Sequence, residues 1–393
     1  MNILFVTPES VESLCGGIAR ITYLLASEFK KRGYICVSAF RKVKSDKQIG
    51  DDIFSEEILL NDGAHVLQYS EVLEKHNIQY VIVQGGAASM NQETVYLREA
   101  IELQSRKILV YFVFHSMPGY ELNRLDWSIL LKRIFSKSWK QNIKQLFIQT
   151  LLPVNKSILQ KQLQKKYGVP YQMADKVVLL SPSYIDDFNY LACGHDTKKY
   201  VAIPNMLTYP ATDNIPSSKK KEVLIVARMD DYSKRIKMAL QIWEKMPCRI
   251  LNEGWHLVIV GDGEDLSYYQ KYVQSREIKN VWFEGQKNPL PYYQDASIFM
   301  MTSSIEGWPM TLMEAMQNGC VPIAFDNFKA VYDIIDNDKD GVIVSNDNIQ
   351  IYAEKLDCLM CEEAHREQMA QAGIKKCQKF SQEKVIQQWL AIL

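Results

Sequence analysis

Within the 393 residues, the run Ala296 to Phe325 constrains the fold most. Ala296 to Met301 is an apolar run of strand length, and Thr302 to Ser304 end it with polar residues. Glu306, Gly307, Trp308 and Pro309 form a short loop. Pro309 suits a helix start, because its fixed φ is already helical and its missing N–H would lack a partner there anyway. Thr311 to Gln317 carries helix formers, Asn318-Gly319 supplies a stop, and Cys320 to Phe325 is a second apolar strand. The order is strand, loop, helix, strand. Its loop lies at the carboxyl end of a strand and the amino end of a helix, where free amides and the positive end of the helix dipole converge. Such a place suits a phosphate or an array of sugar hydroxyls.

Two carboxylates frame the loop. Either alone reads as an ordinary residue, Glu306 solvated in a loop and Glu314 on a helix surface. Glu314 is crowded by Leu312, Met313, Ala315 and Met316, an unfavourable setting for a charge without a partner. Eight residues at helical rise span about 12 Å, beyond the roughly 5–9.5 Å of a glycosidase acid/base couple. The two therefore read as separate acceptors of hydroxyl groups.

The same alternation runs through the chain. Strands are expected at Asn2 to Thr7, Tyr34 to Ala39, Tyr80 to Gln84, Ile108 to Phe114, Lys176 to Leu180 and Val201 to Pro204, with helices at Ile18 to Lys31, Val66 to His76 and Glu93 to Ser105. Arg41 to Glu57 reads as a polar excursion. Thr208 to Lys221, rich in Pro, Ser, Asn and Lys, is the best linker candidate. A second series begins with strands Glu222 to Ala227, Trp255 to Val260 and Asn280 to Glu284, and ends in helices after Asn348. Continuous apolar strands separated by helices indicate parallel sheets wrapped by helices. The expected domains are 1–207 and 208–393.

Three strand ends carry candidate ligand groups. Gly16-Gly17 follows the first strand and Gly261-Asp262-Gly263 a later one. Each lets backbone amides approach a phosphate, and each lacks the third glycine of a dinucleotide fingerprint, so each taken alone is more often a tight turn. Arg228 ends the first strand of the second series, and Lys234 follows across MDDYS. An arginine fork and a lysine point charge at a strand end can neutralise a diphosphate leaving group, although either cation alone reads as a surface residue. A lone histidine at a strand end, such as His115, is usually structural.

Glu306 and Glu314, with seven residues between them in EGWPMTLMEAMQNGCVPIAFD, resemble the E-x7-E signature of retaining GT-B glycosyltransferases of family 4, whose usual form is EGFG-x-x-x-x-EAMA-x-G-x-PV. Trp308-Pro309 stands where that family most often has Phe-Gly. Arg228 and Lys234 resemble its R-x5-K pair, with Arg235 where glycine is frequent. The resemblance implies an α/β GT-B fold of two Rossmann-like domains facing each other across a cleft, the last helix crossing back onto the first. It assigns Glu314 to ribose hydroxyls and Glu306 to the sugar. It gives Gly307, Trp308, Pro309 and Met310, with Gly16, Gly17, Gly261 and Gly263, to the donor. It brings His115 to the reaction centre and Asn205, in IPNML, to the cleft. The implied reaction moves a hexosyl or N-acetylhexosaminyl unit from a nucleoside diphosphate sugar, UDP being the expected nucleotide, to a glycan or lipid-linked acceptor of cell-surface polysaccharide with retained configuration. No metal or other cofactor is implied, since Arg228 and Lys234 serve the diphosphate and no Asp-x-Asp lies near these loops. An epimerase on the same fold and a non-catalytic sugar-nucleotide-binding subunit are the alternatives.

Composition limits the rest. A net charge of zero argues against nucleic acid as a partner. No apolar run approaches a membrane span, and the N-terminus enters a strand without a basic leader, so a cytoplasmic location is expected. Cys358, Cys361 and His365 share a helical face, but with only Cys377 nearby they match no zinc module; the cysteines read as reduced thiols. Between Trp127 and Ala174 there is no Asp or Glu and there are nine Lys or Arg. Arg133, Lys137, Lys140 and Lys144 share one helical face with apolar bulk beside it. This is either a solvated face or a surface for an anionic bilayer, which would attach the protein to the inner face of the membrane and bring it to a lipid-linked acceptor.

Overall fold

The computed structural model describes residues 1–12, 16–43, 53–61, 65–122, 152–210, 218–345 and 347–393. The basic stripe of Arg133, Lys137, Lys140 and Lys144 lies outside them, as does Cys15. The chain divides into two compact units. Unit 1 is Met1–Pro204 together with Trp389–Leu393, and unit 2 is Asn205–Gln388.

Unit 1 contains strands β1 (Asn2–Thr7), β2 (Ile35–Phe40), β3 (Glu56–Leu59), β4 (Tyr80–Gly85), β5 (Leu109–Phe114), β6 (Lys176–Leu179) and β7 (Tyr200–Ala202). Its helices are α1 (Gly17–Lys31), α2 (His65–Lys75), α3 (Ala87–Glu102), α4 (Leu152–Met173) and α5 (Ile185–Ala192). Among the described residues the strands form one sheet in the order β3-β2-β1-β4-β5-β6-β7, every pairing parallel. Strands β1, β4 and β5 are buried on both faces, which is why they read as unbroken apolar runs.

Besides the short helix α5, absent from the sequence expectation, β3 and α4 depart from that expectation. β3 lies at the end of the segment expected to be an excursion; as an edge strand with alternating exposure, EEIL shows no apolar run. α4 carries Gly168 and Pro170, residues that mask a helical pattern. It is held by tertiary packing instead: Leu163 and Tyr167 are buried, with the Tyr167 ring 5.4 Å from Phe114 and 5.2 Å from Phe188. At the chain end, the carbonyls of Ile392 and Leu393 accept hydrogen bonds from the Tyr111 and Tyr80 hydroxyls.

Unit 2 contains β8 (Lys220–Val226), β9 (His256–Val260), β10 (Val281–Gly285), β11 (Ala296–Met301), β12 (Val321–Phe325) and β13 (Val342–Val344). Its helices are α6 (Ile236–Trp243), α7 (Cys248–Asn252), α8 (Leu266–Ser275), α9 (Leu290–Asp295), α10 (Met310–Gln317), α11 (Val331–Ile334), α12 (Ile349–Cys361) and α13 (Glu363–Cys377); α14 (Gln382–Leu390) runs into the last residues of the chain. The sheet is again parallel, in the order β10-β9-β8-β11-β12-β13. Its core is built on Trp243, Trp255, Tyr269, Met300 and Tyr352, each at most 1% exposed. From β8 the chain winds outward to β9 and β10, then returns to β11 on the other side of β8. The chain therefore proceeds from β8 and from β11 toward opposite edges of the sheet, and the carboxyl ends of these two neighbours form a topological switch point, where open parallel sheets receive ligands. The same reversal separates β1 from β4 in unit 1.

Candidate functional site

In unit 2 the switch point brings together the residues that the sequence singles out. β8 ends at Val226, and the loop behind it carries Arg228 and Lys234. β11 ends at Met301, and the loop behind it carries Glu306. Because β8 and β11 are paired neighbours, the two loops meet. Lys234 Nζ lies 2.5 Å from Glu306 Oε1, with side-chain exposures of 24% and 11%. Arg228 is 71% exposed and its guanidinium lies 3.1 Å from Asp230. Asp230 also shapes the turn, accepting from the Tyr232 amide at 3.0 Å and the Ser233 hydroxyl at 2.9 Å. One cation is thus presented to solvent and the other is seated against a carboxylate.

The loops are stitched together by backbone acceptors. The Ser304 amide donates to Ser233 O at 2.8 Å and its hydroxyl to Tyr232 O at 2.9 Å. The Thr302 hydroxyl donates to Lys234 O at 3.0 Å and to Arg235 O at 3.1 Å. These bonds fix Glu306 in register with Lys234.

Gly261 and Gly263 follow β9, with φ of 139° and 154°. A β-carbon on Gly261 would lie 1.9 Å from Ala227 O, and one on Gly263 would lie 2.6 Å from Met229 O. The two glycines let this turn pack directly on the backbone around Arg228, where the Met229 amide donates to Asp262 O at 2.8 Å. They shape the cation-bearing loop from behind.

α10 begins at Met310 with Pro309 as its N-cap, and no side chain caps it. Its first amides point out at the end of the loop that carries Glu306. Gly307 and Met310 are half-buried, whereas Trp308 is 5% exposed and turned inward, its ring 5.2 Å from Phe380 and its indole N–H directed at Met313 Sδ. Glu314 is 1% exposed. Its Oε1 accepts from the Thr208 hydroxyl at 2.6 Å and its Oε2 from the Tyr293 hydroxyl at 2.9 Å. This carboxylate is therefore part of a buried network. Asn205 is 7% exposed.

Sequence reasoning missed Lys219. Its ammonium donates to Tyr293 O at 2.9 Å, Gln294 O at 2.7 Å and Asn318 O, closing the carboxyl ends of both α9 and α10. Burial holds its pKa below the ordinary lysine value. Nothing in the local sequence marks it, since the three carbonyls come from 74 to 99 residues away.

In unit 1, Gly16 has φ of 66° and precedes the first turn of α1, with open space at both Gly16 and Gly17. His115 follows β5. Its amide donates to Gly85 O at 3.2 Å, and its Nε2 faces Gln84 Oε1. An amide oxygen can only accept, so Nε2 carries the proton and Nδ1 is left as an acceptor. Desolvation pushes the imidazole pKa down to about 4, so the ring is neutral near pH 7. Gln84 is 1% exposed and its amide nitrogen has no hydrogen-bond partner. Glu121, seated on Lys166 at 2.5 Å and on the Tyr167 hydroxyl at 3.0 Å, steadies the loop after His115. Among the described residues there is no cluster suited to a metal ion, Cys358, Cys361 and His365 included, and no helix is long and apolar enough to cross a membrane.

Comparison with known proteins follows the same outline. Residues 212–376 match the family model "Glycosyl transferases group 1". The amylovoran biosynthesis glycosyltransferase AmsD of Erwinia amylovora is 30% identical over 233 residues, 57% of this chain and 63% of that protein. The poly(glycerol-phosphate) alpha-glucosyltransferase of Bacillus subtilis is 24% identical over 357 residues, 82% of this chain and 51% of that protein. The matches thus span about half to 63% of these relatives' own length. Among solved structures, Anabaena HepE in complex with UDP superposes with a TM-score of 0.75 at 13% identity, over 100% of this chain and 99% of that one. The lipopolysaccharide outer core galactosyltransferase WaaB superposes with a TM-score of 0.69 at 17% identity, over 100% of both chains. The two parallel α/β units are those of the GT-B fold, and residues 212–376 are similar to the glycosyl transferases group 1 family.

Proposed function

We propose that the protein transfers a hexosyl or N-acetylhexosaminyl unit from a nucleoside diphosphate sugar, UDP being the expected nucleotide, to a glycan or lipid-linked acceptor in cell-surface polysaccharide synthesis. The observation that carries this reading is the Lys234–Glu306 pair beside exposed Arg228 at the switch point of unit 2. The two cations suit the charge that develops on a departing diphosphate. Glu306 suits the hydroxyls of the transferred sugar, and the open amides at Met310 suit its remaining oxygens. The relatives' names support the acceptor class, since they concern amylovoran and poly(glycerol-phosphate). The bound UDP of HepE supports the donor class.

Retention of configuration is part of the proposal. No carboxylate in this group stands as an evident covalent nucleophile, so a front-face transfer, in which the leaving phosphate takes the acceptor proton, fits best. With Arg228 and Lys234 serving the phosphates, the reaction is proposed to need no metal. His115, neutral and with Nδ1 as an acceptor, is assigned to the reaction centre, and attachment to the inner membrane surface through the basic stripe is proposed with it. UDP release should be measured with UDP-glucose, UDP-galactose, UDP-N-acetylglucosamine and UDP-N-acetylgalactosamine, with and without EDTA, against poly(glycerol-phosphate) and undecaprenyl-linked acceptors. Transfer with one donor, undiminished by EDTA and giving an α-anomer by NMR, is expected. A β-product sinks the retaining mechanism, EDTA sensitivity sinks metal independence, and epimerised donor without transfer reassigns the chain.

A further inference from the structure

Arg235 follows Lys234 directly and sits in left-handed backbone, with φ of 52°. A β-carbon is strained there, and such strain persists where surrounding contacts over-determine it. Its side chain supplies those contacts. Nε donates to Thr302 O at 2.7 Å, and Nη2 reaches Ser303 O at 3.4 Å. Nη1 pairs with Asp347, and the guanidinium lies 5.5 Å from the centre of the Phe325 ring. Asp347 also has left-handed backbone, with φ of 53°. An ion pair thus joins two strained residues, and its fork reaches the ends of β11 and β12 and the residues beyond β13. The arginine side chain is 14% exposed, so it is committed to this bridge and not offered to a ligand in solution.

We infer that Arg235 is a positioning residue: its fork holds the Thr302–Ser303 carbonyls, and so places Glu306 opposite Lys234 for the sugar-bearing donor. The inference rests on the nucleotide-sugar reading above. Glycine accepts left-handed φ without strain, so Arg235→Gly removes the tether while relieving the backbone. Loss of the fork and relief of the backbone act in opposite directions on stability, so the positioning role is read from the split between kcat and UDP affinity, which a purely structural loss would not move selectively.

The test compares wild type, Arg235→Gly and Arg235→Lys by UDP affinity in calorimetry, by kcat and KM for UDP release from the best of the four donors, and by amide hydrogen exchange over 302–306. In Arg235→Gly the chain stays folded, exchange at 303–306 speeds up, and UDP affinity falls by no more than about threefold while kcat falls by about tenfold or more, the cost of a carboxylate misplaced by about an ångström. Arg235→Lys keeps the charge, loses the fork and remains impaired. Unchanged exchange in Arg235→Gly overturns the tether whatever the donor does. Normal kcat, or equal losses for UDP and the sugar-bearing donor, overturns the positioning role. A wild-type chain that releases UDP from none of the four donors sinks the donor reading, and with it the role given to Glu306.

Discussion

Lys234 and Arg228 are assigned the same task but are built into the protein differently, and this separates their effects on stability from their effects on transfer. The Lys234 ammonium forms a charged hydrogen bond of 2.5 Å with Glu306, the two side chains being 24% and 11% exposed. Charged hydrogen bonds contribute about 1.5–3 kcal/mol, and breaking a fully buried pair costs about 3–5. With a quarter of the lysine in water, about 2 kcal/mol is the expected loss in Lys234→Met. For a unit of roughly 180 residues this lowers Tm by about 4–8 °C. Arg228 is 71% exposed beside Asp230, so Arg228→Ala should change stability by less than about 1 kcal/mol. Both variants should lose most transfer. The double variant Lys234→Met/Glu306→Gln should recover about 1–2 kcal/mol relative to the sum of its single changes, because the buried charge goes with its partner. It should stay inactive. Differential scanning calorimetry and donor turnover on the five proteins decide the matter. Additive stabilities would show that the pair contributes nothing, and normal kcat/KM in either single cation variant would remove the diphosphate role.

Lys219→Met should destabilise by about 3 kcal/mol and lower Tm by about 6–12 °C, since three carbonyls at two helix ends lose one charged donor; a shift within experimental error in a thermal melt would refute this. His115 has a folded pKa of about 4, below its unfolded value, so the unfolded chain binds more protons in between. Stability should therefore be complete above about pH 6.5 and fall by up to roughly 3 kcal/mol on acidification to pH 4. His115→Gln should flatten that part of the urea-denaturation pH profile, and an unchanged slope would assign it to other groups. Replacing Arg133, Lys137, Lys140 and Lys144 with Gln should release the protein from anionic vesicles, each cation contributing about 1 kcal/mol at such a surface. If wild type fails to co-sediment with these vesicles at low salt, the stripe is a solvated face.

The parallel sheets were legible because their central strands are buried on both faces and leave continuous apolar runs, as in LVYFVF and ASIFMM. β3 was hidden by its edge position and α4 by Gly168 and Pro170, where packing overrides propensity. At the site, Arg228, Lys234 and Glu306 stood out through their places at strand ends together with the resemblance to the R-x5-K and E-x7-E patterns, and chain order and sheet order determine which loops meet. The commitments of other side chains depend on distant acceptors. Gln84 meets His115 across the β4–β5 pairing, and Lys219 finds carbonyls on two helices. Arg235 carried one signal, an arginine where similar sequences often have glycine, but its direction into the protein is a matter of three-dimensional contacts.

The turn at Gly261 and Gly263 has an evolutionary consequence. Its shape comes from two missing β-carbons pressed against the carbonyls of Ala227 and Met229, so drift at these positions has no gradual path: the smallest available change already collides with main chain. The half-buried loop positions from Ser304 to Gly307, and Met310 beyond them, are under no such prohibition. Lineages that diverge in the substrate they accept should therefore accumulate their changes around the β11–α10 loop while the turn after β9 stays fixed. A library randomised over both segments and selected only for folding would show the same asymmetry without any reference to catalysis.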